Sequence, residues 1–206
     1  MGFISKFLLP DRVDFDAALL KQAQINRLLV SDLYKACAND DREALNAISI
    51  VALRERKVKV QNMEVLLDVF ITPYDKESIY RMITQLDWIT LSVKHFQLEA
   101  EVYDTHSLSE YEPVLKTLLE MATALEDGMS KLASKDVKII FNRIDQIHDQ
   151  YDHVVESCAR ATGKLLQQDD YKRIIRHKDM LLQLKEIAKR IHISANTLED
   201  MAIKIV

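Results

Sequence analysis

Apolar residues recur along almost the whole chain at the three- and four-residue spacing of a helix face, and short polar turns are the only breaks. Phe15, Leu19, Gln22, Asn26, Leu29, Leu33 and Cys37 form one stripe and predict a first helix over about 13–37. Asn39-Asp40-Asp41 is a turn and cap cluster. A second helix follows over about 41–70, with Ile48, Val51, Val58, Val65 and Val69 at coiled-coil-like spacing. Pro73 cannot continue that helix, but it fits the first turn of the next, where its missing N–H is not needed. Thr72 is the expected N-cap, with Asp75 as an acidic residue three positions on. Ile79, Met82, Ile83, Leu86, Ile89, Val93, Phe96 and Ala100 then carry a third helix over about 74–104.

The second half repeats this plan. Ser107 and Glu110 read as a capping box opening a fourth helix over about 108–133. Its stripe is Tyr111, Val114, Leu118, Ala122, Leu125, Met129 and Leu132. Ser134-Lys135-Asp136 begins a fifth helix over about 135–168, and Gln167-Gln168-Asp169-Asp170 is the next turn. A sixth helix covers about 170–205 through Ile174, Leu181, Leu184, Ile187, Ile191, Leu198 and Ile205. The fold class that follows is all-α: an elongated six-helix bundle, a single domain over 1–206, built from two three-helix repeats of about 13–104 and 107–206. The loops are too short to separate independent domains.

Composition supports the helical reading. Three Gly and three Pro in 206 residues are too few for the regular turns of a β-meander. The net charge of −4 creates no global field that would draw nucleic acid. No apolar run approaches the ~18 residues of a membrane span. Cys37 and Cys158 lie on apolar faces and read as buried free thiols, so the expected location is the cytoplasm. The first ten residues are apolar but too short for a signal peptide, and Lys6 stands where a myristoylation signal wants Ser or Thr. They are expected to pack on the bundle, with a peripheral membrane or partner contact as the alternative.

The fifth helix carries the richest polar constellation. Asp145, His148, Asp149, Asp152, His153 and Glu156 fall on one face, opposite Ile140, Ile144, Ile147, Tyr151, Val154 and Cys158. Carboxylates and imidazoles at this spacing can bind a divalent metal ion, and Asp145, His148, Asp149 and Asp152 are the candidate ligands. A solvated polar face is the competing reading. The sixth helix carries Lys178, Lys185, Lys189 and His192, either as a solvated basic face or as a partner of the acidic stripe. Arg54, Arg56, Lys57 and Lys59 make a basic cluster on the second helix that could attract phosphate or anionic lipid, though a helix interior has no free N–H groups to cradle a phosphate. Trp88 reads as a packing residue. No P-loop, dinucleotide-binding glycine motif or HExxH motif is present, and no catalytic residue or cofactor site can be assigned.

At Phe70-Ile71-Thr72-Pro73, Asp75-Lys76-Glu77 and Leu86-Asp87 the chain resembles the PhoU-like proteins of the Pit accessory family. These proteins are encoded beside Pit-type inorganic phosphate transporters. Ile147 to Asp152, Ile175, Lys178-Asp179 and Leu198-Glu199 extend the resemblance over nearly the full length. It implies a six-helix bundle of two repeats, and metal ions held by Glu/Asp-x-x-x-Asp motifs on the long helices. Here the family's acidic pair on the second helix is replaced around Arg54 and Arg56, leaving Glu55, and the second Asp of its Leu-Asp-Asp segment is Trp88. Lys185 and Lys189 stand at acidic positions of the sixth helix. They are expected to take the place of bridging metal ions by pairing with Asp149 and Asp152. Arg54, Arg56, Lys185 and Lys189 are thus the candidate interaction residues.

The resemblance implies a non-enzymatic accessory or regulatory protein of phosphate transport, docking on a Pit-type transporter or a signalling protein at the inner face of the membrane. A divalent-metal-binding protein using the fifth helix, or a structural helical adaptor, is the alternative. Coiled-coil-like stripes are compatible with a homo-oligomer.

Overall fold

The computed structural model describes residues 13–105 and 107–204. The expected packing of the first ten residues lies outside this range, as does Ile205. Among the described residues there are six long helices and no strand: α1 (Phe15–Ala38), α2 (Arg42–Asp68), α3 (Lys76–Val102), α4 (Glu112–Ser130), α5 (Val137–Leu165) and α6 (Tyr171–Lys204). A short 3-10 turn, Leu108–Tyr111, leads into α4.

Aspartates start the helices. Asp14, Asp41, Asp75 and Asp136 each accept a hydrogen bond from the backbone N–H three residues on, at the heads of α1, α2, α3 and α5. Two expected caps are therefore corrected. Thr72 does not cap α3; its hydroxyl donates to the Tyr74 carbonyl at 2.5 Å, and Asp75 takes the cap, so Pro73 lies before the helix. Ser107 sits in the left-handed region at φ 62° and makes no side-chain cap, while Glu110 turns to Arg173. A capping box needs the Ser hydroxyl on the N3 amide, and the 3-10 turn before Pro113 removes that geometry.

The two halves repeat one turn. After α1 the chain passes through Asp40 at φ 49°, and Asp41 N–H donates back to the Ala36 carbonyl. After α4 it passes through Lys135 at φ 56°, and Asp136 N–H donates back to the Lys131 carbonyl. Both closures run from the sixth residue to the first, as in a Schellman motif, and both lead directly into an Asp-capped helix. The same closure also ends α3, where Asp104 has φ 49° and Thr105 N–H donates back to the Ala100 carbonyl, so it is the common helix stop of this chain.

Within each half three helices pack together: among the described residues α2 packs between α1 and α3 alone of the helices, and α5 against α4 and α6 alone. The halves join through α1 against α4 and α3 against α6. The inner four helices therefore share one core, and α2 and α5 flank it. Phe96 on α3 meets Tyr111 edge-on, with ring centroids 6.2 Å apart, at the junction of the halves. Gly128 lets α4 approach α6 closely, since a Cβ there would lie 3.0 Å from Leu198 Cδ2. At the other end Lys204 of α6 donates to Asp75, Ser78 and Asp200 at 2.8–3.0 Å, tying the tail of α6 to the head of α3.

Nearly every apolar stripe expected from the sequence is buried, except on α2. Its buried face is Leu45, Ile48, Ala52, Glu55, Asn62 and Leu66, whereas Val51, Val58, Val65 and Val69 are only half-buried. The helix is rotated so that polar residues face inward.

Phe96 is fully buried and Leu67 is 81% exposed. Phe96→Ala is expected to lower the unfolding free energy by about 3–5 kcal/mol, and Leu67→Ala to change it by less than about 0.5 kcal/mol. Urea denaturation of both variants measures the contrast.

Candidate functional site

The rotation of α2 follows from α1. Gln22 and Asn26 lie on the same buried stripe as Leu19 and Leu29, so their amides must find partners inside the bundle. Gln22 Nε2 donates to Glu55 Oε1 at 2.7 Å and to the Ile83 carbonyl at 3.0 Å. Asn62 Nδ2 donates to Gln22 Oε1 at 3.1 Å. Asn26 Nδ2 donates to the Leu86 carbonyl at 2.9 Å, and Thr90 Oγ1 donates to Asn26 Oδ1 at 2.7 Å. Beside this network Lys59 forms an ion pair with Asp87. Residues of α1, α2 and α3 thus share one polar centre inside the first half.

Glu55 is its unusual member. It is fully buried, and its Oε2 has no hydrogen-bond acceptor role filled. Burial pushes its carboxyl up to about 7, and the charge and hydrogen bond of neighbouring Asp87 act in the same direction; the Gln22 amide and the Lys59 ammonium oppose them. Protonation makes Glu55 neutral and so removes the cost of burying an unpaired carboxylate charge. The centre is then one neutral acid, one carboxylate and one ammonium, with no net charge.

In the second half the polar groups sit nearer the surface. Antiparallel α5 and α6 bring His148 and His192 together with ring centroids 4.7 Å apart, and Tyr151 stacks on His192 at 4.6 Å. His148 Nε2 lies 2.9 Å from Asn196 Oδ1, so this nitrogen carries the proton. Burial lowers the His192 pKa, His148 lowers it further, and Asp152 works against both. Asp145, Asp149 and Asp152 are exposed along the outer face of α5, and His148 is half-buried. Among the described residues no three His, Cys, Asp or Glu side chains gather as a metal ion would need.

The basic candidates also have definite places. Arg54 and Arg56 are exposed on α2, Lys189 is exposed on α6, and Lys185 is half-buried. The expected pairing of Lys185 and Lys189 with Asp149 and Asp152 is not formed. At the register set by the Tyr151–His192 stack, Lys185 comes beside Cys158, on the buried side of α5, away from the outward carboxylates. Both cysteines are buried free thiols, with burial pushing Cys37 up to about 12 and Cys158 up to about 11. Trp88 is partly exposed on α3, with the Arg190 guanidinium of α6 4.6 Å above its ring.

The outer side of α2 exposes a run of apolar side chains. Ile50, Leu53, Val60 and Leu67 are each about half-exposed or more, and Phe70 and Ile71 just beyond the helix are 97% and 89% exposed. Arg54, Arg56 and Lys57 are interleaved with them.

This architecture matches solved structures. A PhoU-like protein from Shewanella oneidensis superposes with a TM-score of 0.78 over 92% of this chain and 99% of its own, at 13% identity. The fold is PhoU-like. A second structure from the same organism, named as a PhoU-like phosphate regulatory protein, gives 0.76 over 91% and 98%, also at 13% identity. In sequence the chain is similar to UPF0111 protein YkaA of Bacillus subtilis, 26% identical over 160 residues, which span 74% of this chain and 78% of that protein. No family model matches the chain.

In this PhoU-like bundle Glu55 and Asp87 are the acids left at the positions where the family resemblance implies metal ligands. Their surroundings do not fit a metal ion: the Lys59 ammonium already sits on Asp87, and Glu55 is held by an amide. In the first half a lysine, Lys59, thus sits on one of these acids, whereas among the described residues Lys185 and Lys189 make no ion pair with Asp149 or Asp152. Glu55, Lys59 and Asn62 at four- and three-residue spacing were the signal for this polar centre, continuing the Ile48–Ala52 face towards Leu66.

The sign of the Glu55 effect is testable. Its folded pKa lies above its ordinary value of 4.5, so the folded state binds the extra proton between about pH 4.5 and 7. The stability that the neutral form confers is complete below 4.5 and is lost as pH rises through 7. Glu55→Gln keeps the acceptor for Gln22 and stays neutral. It is expected to match the parent protein at pH 4.5 and to exceed it by up to about 3 kcal/mol at pH 8, measured by urea denaturation across pH.

Proposed function

We propose that this chain is a non-enzymatic accessory or regulatory protein of inorganic phosphate transport. It docks on a Pit-type transporter, or on a signalling protein beside it at the inner face of the membrane. The observation that carries this reading is the contrast between the two sides of α2. Inside, the polar centre is held by its own hydrogen bonds and by the Lys59–Asp87 ion pair. Outside, the same helix presents Ile50, Leu53, Val60 and Leu67 with Phe70 and Ile71, a run of apolar side chains that gains free energy only when covered. Arg54, Arg56 and Lys57 beside them add attraction to an acidic partner surface or an anionic leaflet, which speeds encounter more than it tightens binding. The phosphate connection is supported by the name of the similar Shewanella oneidensis protein and by the resemblance at Phe70-Ile71-Thr72-Pro73. Among the described residues no helix is long and apolar enough to cross a membrane, so contact with a transporter would be made from its surface.

Leu53 and Leu67 are 57% and 81% exposed, so replacing them leaves the core intact. The tagged chain co-expressed with a Pit-type transporter is expected to co-purify with it. The double variant Leu53→Glu, Leu67→Glu should lose at least about tenfold of that yield, with an unchanged far-ultraviolet circular dichroism spectrum. Absence of co-purification by the parent chain, or equal recovery of the variant, would overturn the reading.

A further inference from the structure

The first turn of α6 faces a cavity of about 260 Å³ lined by Thr105, Asp170, Lys172, Arg173, Arg176 and His177. That is several times the roughly 30 Å³ share of one water. Three of its six lining residues are cations and one is an acid. α6 is 34 residues long, so the positive end of its dipole and its first unpaired N–H groups point into this region. Asp170 covers one of them, accepting from Arg173 N–H at 3.1 Å.

The charges here are not equivalent. Arg173 is committed, with Nη2 2.7 Å from both carboxylate oxygens of Glu110. It also donates from Nη1 to His177 Nε2 at 2.9 Å. A guanidinium can only donate, so His177 Nε2 accepts, and a neutral ring carries its proton on Nδ1 towards Tyr111 Oη at 2.5 Å. This chain fixes one wall of the cavity. Lys172 and Arg176, by contrast, are exposed and make no hydrogen bond or ion pair among the described residues. The decisive observation is Thr105. It is 2% exposed, it lines the cavity, and its Oγ1 has no hydrogen-bond partner. A buried hydroxyl left unmatched costs about 1–3 kcal/mol, and an acceptor entering the cavity would relieve it. The larger groove between α1, α4 and α5 differs in this respect, because its arginines are already paired: Arg27 with Glu126 and Arg143 with Asp127.

We propose that this cavity is a phosphoryl-binding site, in which the Thr105 hydroxyl, the head of α6, Lys172 and Arg176 hold a phosphate-class oxyanion. Thr105 donates to one oxygen and so gains the partner it lacks. Lys172 and Arg176 fold over the anion from the solvent side, and Arg173 stays on Glu110 as a fixed wall. The oxyanion is either free inorganic phosphate or the phosphoryl group of a lipid headgroup. The site does not rest on the docking reading, and the Leu53→Glu, Leu67→Glu variant should retain it, so the two fail separately.

The test uses the full chain with Arg176→Ala and Thr105→Val. Without ligand, Arg176→Ala should keep the parent melting temperature, since Arg176 is unpaired, and Thr105→Val should keep or raise it, since it removes a buried hydroxyl that satisfies nothing. Inorganic phosphate, titrated by calorimetry, is expected to bind the parent chain and to raise its melting temperature. Arg176→Ala should weaken binding at least about tenfold and Thr105→Val several-fold. Should phosphate fail while vesicles of phosphatidylglycerol in phosphatidylcholine capture the parent and release Arg176→Ala, the oxyanion is a lipid headgroup and the site stands. No binding of either probe, or binding that neither substitution weakens, would overturn it.

Discussion

Two amides on the buried stripe of α1 constrain the first half of this molecule. Gln22 and Asn26 are taken out of water by the same helix face that buries Leu19, Leu29 and Leu33. An unpartnered amide in that position would cost about 1–3 kcal/mol, comparable to what burying one more valine returns, and there are two such amides to satisfy. Helix α2 therefore turns Glu55 and Asn62 inward, and α3 offers Thr90 and the carbonyls of Ile83 and Leu86. What α2 shows to solvent is the remainder of its sequence, and that remainder includes Ile50, Leu53, Val60 and Leu67. The apolar outer surface is thus the other side of the internal hydrogen-bond requirement. Any account of docking through α2 depends on the amides of α1.

The second half has the same backbone plan under a different constraint. The shared left-handed turn and Asp cap at Asp40-Asp41 and Lys135-Asp136 place α5 as they place α2. Yet α5 separates its faces cleanly, burying Ile140, Ile144, Ile147, Val154 and Cys158 and sending its acids outward. The stripe of α4 between Leu115 and Met129 contains no buried amide or acid, so nothing pulls polar residues of α5 inward. The repeats therefore diverge in where each half keeps its charge: inside and neutralised in the first, outside and solvated in the second.

This difference explains what could be read from the sequence. Helix number, order and approximate bounds follow from the spacing of apolar residues, because nearly all the stripes are simple. The stripe of α1 was legible even with Gln22 and Asn26 in it, since Leu and Phe flank them at the right positions. The face of α2 was not, because four valines at regular spacing outweigh an Ile48-Ala52-Glu55-Asn62-Leu66 series when only hydrophobicity is weighed. Burial there is decided by partners on another helix, which local periodicity does not contain. The caps at Thr72 and Ser107 were misplaced for a related reason. Both are good cap residues, but Asp75 forms two hydrogen bonds to Ser78, and Ser107 is required in a left-handed turn. The pocket at the head of α6 was beyond the sequence altogether: Thr105 precedes Asp170 by more than sixty residues, and only the fold puts them on one cavity.

Charge accounting ties these sites together. A buried acid pair needs a compensating cation, and a divalent ion and an ammonium answer that need differently. Around Glu55 and Asp87 a divalent ion would have to displace Lys59, deprotonate Glu55 and replace the Gln22 amide with a metal–oxygen bond. The present arrangement reaches neutrality with one lysine and one proton, and its neutrality depends on pH rather than on metal supply. At the head of α6 the balance has the opposite sign. Glu110 and Asp170 offset part of the positive charge, Lys172 and Arg176 remain, and Thr105 holds an unused donor. The interior of the first half is closed to ions because its charges already cancel, whereas the cavity at α6 is open to an anion because its charges do not.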